Sequence, residues 1–289
     1  MSRLSFALVL LVGLLAGGLG TLLLRPAAAP LDAGAVRSII TDLLQKHEGA
    51  PAATAEFDPG KVNTLIENYL MSDPTILQRM NDKLAEQKRV AARQAEKAVI
   101  DANSAAIYHG DGNVVLGNPK GDVTLVEMFD YNCSYCRGAL PDLVNLMAED
   151  KNLKVILKEF PILTAGSVDA ARVALLVAQD PKINYWDFHR QLFSQRGEVG
   201  ATQALQVAEQ LGGDRVELML DMNKPALNGI IQQNYNLAKA LNTSGTPTYI
   251  LGDEMIPGAL GIDQLRLKIA NIRKCGSTEC TAGGAVAAS

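Results

Sequence analysis

Reactive and metal-binding side chains are scarce in this chain, which has four cysteines and three histidines among its 289 residues. The histidines are scattered along the chain, at His47, His109 and His189. A structural metal site needs about four ligands. A first cysteine pair would therefore have to be followed at short spacing by a second Cys-x-x-Cys or by a histidine pair. No such set is present, so the sequence predicts no metal site.

Net charge is also small, because 27 basic residues are offset by 31 acidic ones and leave a formal charge of -4. A chain that binds nucleic acid usually carries an excess of positive charge, so we predict no nucleic-acid partner. The composition, 48% hydrophobic and 20% charged, is typical of a globular protein with a sizeable core. No internal repeat is visible in the sequence.

The first 30 residues are predicted to be a signal peptide or a membrane anchor. Arg3 precedes an apolar run over residues 4–24, and Ala27, Ala28 and Ala29 resemble a cleavage site. The run is longer than the core of most cleaved signals and is near the length that spans a bilayer. Two alternatives therefore stay open: the segment is cleaved and the protein is secreted, or the segment is retained and tethers the protein to the membrane. Both place the rest of the chain in the periplasm, an oxidising compartment where thiol pairs form disulfides.

Residues 31–107 are predicted to form a helical arm. Apolar residues at helical spacing indicate a first helix over residues 33–47, and Asp58 followed by Pro59 is typical of the start of a second. A third helix is predicted over residues 74 to about 104, which is long for a globular protein.

This long helix has only a narrow apolar stripe. Leu77, Met80 and Leu84 have the spacing of a coiled-coil seam, whereas the stripe continues through alanine and glutamine and the other faces are charged. Such a pattern favours contact between helices of different chains. We therefore expect self-association through this helix; the alternative is a solvated helix that packs loosely on its own domain.

The stretch FDYNCSYCRG, residues 129–138, places Cys133 and Cys136 with two residues between them. It follows an apolar strand candidate, residues 123–129, and opens a predicted helix. The pair is a redox centre, half of a metal site or a structural disulfide. A redox centre explains the position, because a helix N-terminus stabilises the thiolate of the first cysteine and the second cysteine can resolve a mixed disulfide.

Further along, the stretch GTPTYI places Thr246 and Pro247 before another predicted strand. Together with the cysteine pair and the strand before it, this stretch resembles the DsbA-like branch of the thioredoxin-fold family over about residues 114–274. The resemblance implies an α/β thioredoxin fold for residues 108–274, with a helical insertion at about residues 166–240. It also implies that Pro247 is a cis-proline facing the dithiol, and that Pro247 and Thr246 contact the substrate.

The resemblance gives roles to three more residues. Glu127 matches the buried carboxylate of the family and is expected to accept the proton of the second cysteine; the alternative is an exposed residue at an edge. Ser134 and Tyr135, between the cysteines, are expected to contact substrate and tune the redox poise. They depart from the Pro-His dipeptide of the strong oxidases in the family, which leaves the oxidising strength open.

The helical arm resembles the N-terminal extension of ScsC-like proteins (suppressor of copper sensitivity protein C). The shared pattern, FDPGKVNTLIENYLMSDPTILQRMNDKL, is a helix, a DP break and a second helix. In that family such helices can assemble DsbA-like domains into trimers, so a homotrimer is expected. The link with copper motivates an alternative function, copper binding or tolerance, in which Met71, Met80 and the two thiolates hold Cu(I), which favours soft ligands.

The sequence thus predicts a periplasmic thiol-disulfide oxidoreductase or isomerase. Its expected partners are cysteine-containing exported proteins and a membrane redox partner. No bound cofactor is expected, because Cys133 and Cys136 themselves carry the redox equivalents. Cys275 and Cys280, in the tail over residues 275–289, are expected to form a structural disulfide that pins the last helix. The alternatives are a second redox pair and an unpaired reactive thiol.

Overall fold

The computed structural model describes residues 58–280, together with residues 37–38 and 41–42, which are helical. The predicted export segment, most of the first predicted helix and the last nine residues, 281–289, lie outside the described residues. The chain forms two compact units, divided between Pro74 and Thr75. In the described part of the chain, no helix combines the length and the apolar composition needed to cross a lipid bilayer.

The first unit contains helix α1, Pro59–Ser72. Asp58 is its N-cap, and its Oδ1 accepts hydrogen bonds from the backbone N–H groups of Gly60 and Lys61 at 2.9 and 3.4 Å. A carboxylate at this position satisfies N–H groups that have no partner within the helix. The helix therefore begins where the Asp-Pro pair predicted it.

The second unit contains the remaining described elements. Its helices are α2 (Thr75–Ala102), α3 (Ser104–His109), α4 (Ser134–Glu149), α5 (Ala165–Val177), α6 (Tyr185–Phe193), α7 (Ala201–Gln210), α8 (Arg215–Asp221), α9 (Pro225–Ala240) and α10 (Ile262–Cys275). Its strands are β1 (Val114–Gly117), β2 (Val123–Phe129), β3 (Leu153–Glu159), β4 (Thr248–Leu251) and β5 (Glu254–Pro257). Five helices, α5 to α9, separate β3 from β4. This order confirms the predicted thioredoxin-type α/β fold with a helical insertion.

The five strands form one mixed sheet in the order β1-β3-β2-β4-β5. Only β2 and β3 are parallel to each other; the other pairs are antiparallel. β2 is central and almost wholly buried, as expected of a strand covered on both faces. Its carboxyl end therefore delivers residues 130–133 to the middle of the sheet edge.

Strand β1 is not among the elements predicted from the sequence. It has four residues and pairs with β3 alone. Glycine, asparagine and proline flank it closely in the sequence, and these residues are typical of turns. Its strand conformation depends on pairing with β3, which lies about 40 residues further along the chain.

Side chains along β2 alternate between the two faces of the sheet, as the period of a strand requires. Leu125 and Phe129 pack into the larger core with α4, α10 and most of the insertion. Val126 and Met128 pack on the other face, where Ile100 of α2 joins them in a smaller core with residues of α3 and α9. The sheet is thus covered by helices on both faces.

Helix α2 is attached to the sheet at its C-terminal end. There Ile100 is buried, and the Glu96 Oε1 accepts a hydrogen bond of 2.6 Å from the backbone N–H of Met255 in β5. Near the N-terminal end, Leu77 and Met80 are 67% and 61% exposed. The predicted seam is therefore open to solvent in the single chain.

A short loop closes the described part of the chain after α10. Cys275 and Cys280 form a disulfide across it. Within the loop, the buried Thr278 donates hydrogen bonds from its backbone N–H and its Oγ1 to the Asp253 Oδ1, at 2.9 and 3.1 Å. This loop therefore ties α10 to the turn between β4 and β5.

The same loop also contacts α2. Glu279 forms ion pairs with Arg89 and with Arg93, the latter at 3.1 Å. Arg93 also donates a hydrogen bond of 3.2 Å to the Thr278 Oγ1. The disulfide-closed loop thus holds two helices of this unit, α10 and α2.

Replacement of both loop cysteines, Cys275→Ser with Cys280→Ser, should lower the free energy of unfolding by about 2 kcal/mol, the value expected for a short closed loop. Urea unfolding of parent and variant, with Cys133 and Cys136 kept reduced in both, measures the difference. Hydrogen exchange should also become faster in α2 around Arg93. Equal unfolding midpoints and slopes would show that the loop keeps its shape without the bond.

Candidate active site

Cys133 is the N-cap of α4, at the end of the loop that follows β2. Its Sγ accepts a hydrogen bond of 3.4 Å from the backbone N–H of Cys136 and donates one of 3.1 Å to the backbone carbonyl of Thr246. Both cysteines are unbonded and buried. The thiol therefore lies between a helix N-terminus, whose dipole favours negative charge, and the loop before β4.

The loop before β4 carries the predicted Thr246 and Pro247. The peptide bond between them is cis, and Pro247 is buried. The Pro247 carbonyl accepts a hydrogen bond of 2.8 Å from the N–H of Gly258, which follows β5. Thr246 reaches the site through its carbonyl, while its buried Oγ1 has no hydrogen-bond partner among the described residues.

Glu127 lies in the middle of β2, opposite Leu157 of β3 and Tyr249 of β4. It is 5% exposed, and this burial raises the pKa of its carboxyl group from 4.5 to about 8. The alternative of an exposed edge residue is therefore wrong. At neutral pH the carboxyl is mainly protonated and close to the point of ionisation, which suits a group that exchanges a proton.

Cys136 lies one turn into α4 and is more deeply buried than Cys133. Burial is the main cause that raises the pKa of its thiol, and the nearby charge of Glu127 is the next. The same charge contributes, after burial, to the raised pKa of Tyr249. Cys136 therefore stays a thiol until a neighbouring group accepts its proton, and Glu127 is placed to do so.

The residues between the cysteines, Ser134 and Tyr135, are exposed in the first turn of α4. Tyr135 is 70% exposed, an unusual position for a large aromatic side chain. Ile162 and Leu163, in the segment after β3, are also exposed, and they are tied to the loop before Cys133 by hydrogen bonds. An apolar surface therefore borders the cysteine pair.

Asp130 shapes the loop before Cys133 and is not among the site residues predicted from the sequence. Its Oδ1 accepts from the N–H of Asn132 at 2.8 Å, and its Oδ2 accepts from Ile162 and Leu163 at 2.8 and 3.0 Å. Its backbone carbonyl accepts from the N–H of Cys133 at 3.0 Å. An aspartate that bonds the N–H two residues on is a known turn signal, and it could have pointed to this residue.

A buried polar network adjoins the same loop and was also not predicted. The Tyr131 hydroxyl lies 3.1 Å from the His189 Nδ1 and 3.4 Å from the Tyr185 hydroxyl, which donates to the Glu159 Oε1 at 3.3 Å. Burial lowers the pKa of His189 to about 3 and raises the pKa of Glu159 well above its ordinary value. His189 is therefore neutral near pH 7, and burial favours the protonated, uncharged form of Glu159.

The structure brings Glu127, Cys133, Cys136, Thr246 and Pro247 together, with Ser134 and Tyr135 at the surface beside them.

The other cysteine pair is separate from this site. The disulfide loop of Cys275 and Cys280 bonds to the turn after β4, whereas the Thr246 loop precedes the same strand. Among residues that the structure describes, no group of three or more His, Cys, Asp or Glu side chains is arranged to hold a metal ion. Neither the geometry nor the comparisons below favour the copper alternative.

Comparisons with known proteins find one matching family model and several similar structures. The family model described as "DSBA-like thioredoxin domain" matches residues 124–270. A thioredoxin-like oxidoreductase from Silicibacter pomeroyi DSS-3 is 38% identical, with a TM-score of 0.56, over 59% of this chain and 97% of its own. The thiol-disulfide exchange protein alpha-DsbA2 from Wolbachia pipientis is 28% identical, with a TM-score of 0.58, over 63% of this chain and 98% of its own.

Two other similarities differ in coverage. A linker-deletion mutant of Proteus mirabilis ScsC is similar in fold, at 24% identity and a TM-score of 0.54, over 76% of this chain and 95% of its own, so this likeness extends beyond the family match. Among curated proteins, a Na(+)/H(+) antiporter from Salinispora tropica is 24% identical over 72% of this chain. The chain spans only 32% of that antiporter's length.

Substitution Glu127→Gln should change how stability depends on pH. The raised pKa means that the folded parent keeps a proton that the unfolded chain loses, so the stability present below pH 4.5 is lost as pH rises towards about 8. The variant lacks this loss. The difference in free energy of unfolding between variant and parent should grow in favour of the variant by roughly 4 kcal/mol across this window.

Urea unfolding of the parent and the variant at a series of pH values measures this difference. Glu217→Gln removes an exposed carboxylate in α8 and is the matched control, whose pH dependence should follow the parent. A Glu127→Gln variant that follows the parent at every pH would show that the carboxyl is ionised in the folded protein.

Proposed function

This chain belongs to the DSBA-like thioredoxin domain family, and we propose that it is a thiol-disulfide oxidoreductase in which the sulfurs of Cys133 and Cys136 react. The observation that carries the proposal is the position of the Cys133 Sγ, bonded to the N–H of Cys136 and to the carbonyl of Thr246. Glu127, buried behind Cys136, supplies the group that exchanges its proton.

In the oxidising direction, a substrate thiolate attacks the Cys133 sulfur of a Cys133–Cys136 disulfide. The Cys136 sulfur leaves, takes up a proton through Glu127, and a mixed disulfide joins Cys133 to the substrate. A second substrate thiolate then attacks the substrate sulfur of this bond and releases Cys133. The substrate loses two electrons and gains a disulfide, and the cysteine pair ends as the dithiol present in the structure.

In isomerisation the dithiol form reacts instead. The Cys133 thiolate attacks a wrong disulfide in the substrate, and another substrate thiol displaces Cys133 to form a new bond, with no net change of oxidation state. The exposed Tyr135, Ile162 and Leu163 suit unfolded chains, which expose apolar side chains. We place the substrates among cysteine-containing exported proteins, with a membrane redox partner that resets the pair.

The periplasm is the proposed compartment. The disulfide between Cys275 and Cys280 is the type of bond that persists where the surroundings are oxidising. The export pattern of residues 1–30 supports the same compartment. The proposal is the same for a cleaved and for a retained segment, because both deliver the domain to the same side of the membrane.

The direct test is the trapping of a mixed disulfide on a reduced, unfolded secreted protein. The Cys136→Ser variant, whose Cys133 is first activated with a small aromatic disulfide, should accumulate a covalent complex with an unfolded protein that has a single cysteine, because neither Cys136 nor a second substrate thiol can resolve it. Cys133→Ser should give at least about tenfold less complex, and Cys275→Ser with Cys280→Ser, added to Cys136→Ser, should give as much complex as Cys136→Ser alone. Absence of a complex with Cys136→Ser would remove the basis for the proposal.

We further propose that the chain assembles as a homo-oligomer, with a trimer as the expected order, through the N-terminal half of α2. Leu77, Met80 and Leu84 lie on one stripe of this helix and are exposed in the single chain. Contact with the same stripe of other copies would bury them, as in a coiled-coil seam. Several dithiols on one assembly would raise the local concentration of reactive sites around one misfolded substrate.

Substitution Leu84→Asp should convert the assembly to monomers at micromolar concentration, because it places a charge inside the seam. Ala85→Asp, which adds the same charge on the adjacent and outward-facing position, should leave the mass unchanged. Light scattering gives the mass, and refolding of a protein with scrambled disulfides gives the isomerase activity, which should fall with the assembly. A parent protein that is already monomeric would contradict the proposal.

A further inference from the structure

Asn132, the residue immediately before Cys133, is bound to the helical insertion through its side chain. The Asn132 Oδ1 accepts from the N–H of Val199 at 2.7 Å, and its Nδ2 donates to the carbonyl of Val199 at 2.8 Å. The side-chain amide therefore pairs with both polar groups of a single buried residue. Val199 is fully buried, so without Asn132 these groups would lose partners that water cannot readily replace.

The same amide also reaches the start of α5. The Nδ2 lies 3.0 Å from the Ser167 Oγ and 3.4 Å from the Thr164 Oγ1. Thr164 is the N-cap of α5, and its Oγ1 accepts from the N–H of Ser167 at 3.0 Å in a capping box. Asn132 thus joins the loop before the cysteine to two separate segments of the insertion.

These segments are packed too closely to shift past one another. A side chain added at Gly166 would approach the Val199 carbonyl to 3.0 Å and the Glu198 Oε1 to 2.8 Å. The Val199 segment therefore lies directly against the first turn of α5. It offers Asn132 a fixed partner rather than a mobile loop.

The Asn132 backbone is also fixed by Asp130, the first residue after β2. Its N–H donates to the Asp130 Oδ1 at 2.8 Å, and the N–H of Cys133 donates to the Asp130 carbonyl at 3.0 Å. The backbone of residues 130–133 is therefore held by Asp130, which directly follows β2, on one side and by the insertion on the other. The next atoms along the chain are those of Cys133, whose Sγ contacts the α4 N-terminus and the Thr246 loop.

We propose that Asn132 is a positioning residue for Cys133: its pairing with Val199 holds the reacting sulfur at the N-terminus of α4 and links the geometry of the dithiol to the helical insertion. The inference rests on the proposed function, because Asn132 can affect catalysis only if Cys133 is the reacting residue. The position of the sulfur can nevertheless be tested without any protein substrate.

The test uses Asn132→Ala in a Cys136→Ser background, where Cys133 is the reactive thiol of interest and Cys275 and Cys280 are bonded to each other. The rate of iodoacetamide alkylation at pH 7 should fall about tenfold, because a displaced sulfur loses the N–H groups of the α4 N-terminus that favour the reactive thiolate. When Asn132→Ala is the only substitution, the thiol-disulfide exchange reaction should have a lower kcat and an unchanged KM.

Asn118→Ala is the matched control. Asn118 also joins two backbone groups through its side chain, donating to the Lys151 carbonyl at 3.0 Å and accepting from the Lys120 N–H at 2.9 Å, but it lies in the turn before β2. Its alkylation rate should stay within about twofold of the parent. A folded Asn132→Ala variant that is alkylated at the rate of Asn118→Ala overturns the inference.

A second variant keeps the test decisive if Asn132→Ala fails to fold. Asn132→Asp accepts from the Val199 N–H but, when ionised, cannot donate to the Val199 carbonyl; below about pH 4 its protonated form can donate. Its alkylation rate relative to the parent should therefore recover between pH 7 and pH 4. A ratio that is the same at both pH values contradicts the inference. A parent that is alkylated as expected but traps no substrate would refute only the proposed function.

Discussion

The hydrogen bond from the Cys136 N–H to the Cys133 Sγ is the interaction on which the rest of the site depends. It requires a thiol in the N-cap position, where helices usually carry an oxygen, so β2 must end and α4 must begin within a few residues. Asp130 makes this possible, because its carboxylate and carbonyl accept from four N–H groups around the turn. The central position of β2 then sets where the sulfur lies.

Burial, more than ion pairing, controls the charges behind the sulfurs. Glu127 and His189 are buried, and the cost of removing a charge from water keeps both mainly neutral near pH 7. The same cost raises the pKa of the buried Glu159. Hydrogen bonds hold Glu159 and His189, and aromatic rings pack against His189. In this setting, ionisation of the single carboxyl next to Cys136 has a large local effect, because no buried cation of the described site screens it.

Local sequence signals were sufficient for the elements that carry the chemistry. The cysteine pair after an apolar run and the Thr-Pro pair before another carry the resemblance that implied the thioredoxin fold, and the structure places Cys133 and Pro247 together. The burial of Glu127 could not be decided, because it depends on β2 pairing with β3 and with β4, which follows much later in the chain. Asn132 and His189 were missed for a related reason, since their partners lie 67 and 58 positions away and no local pattern reports such contacts.

Helix α2 has 28 residues and is anchored to the sheet at Ile100. At 1.5 Å per residue, Leu77 lies about 35 Å along the axis from that anchor. The helix is therefore a lever: a rotation of about 10° at the anchor moves its far end by roughly 6 Å, whereas the sheet itself stays still. The stiffness of this single helix therefore sets how far a molecule bound at its far end lies from the dithiol. The loop closed by Cys275 and Cys280 contacts α2 near its attachment to the sheet and limits its rotation there.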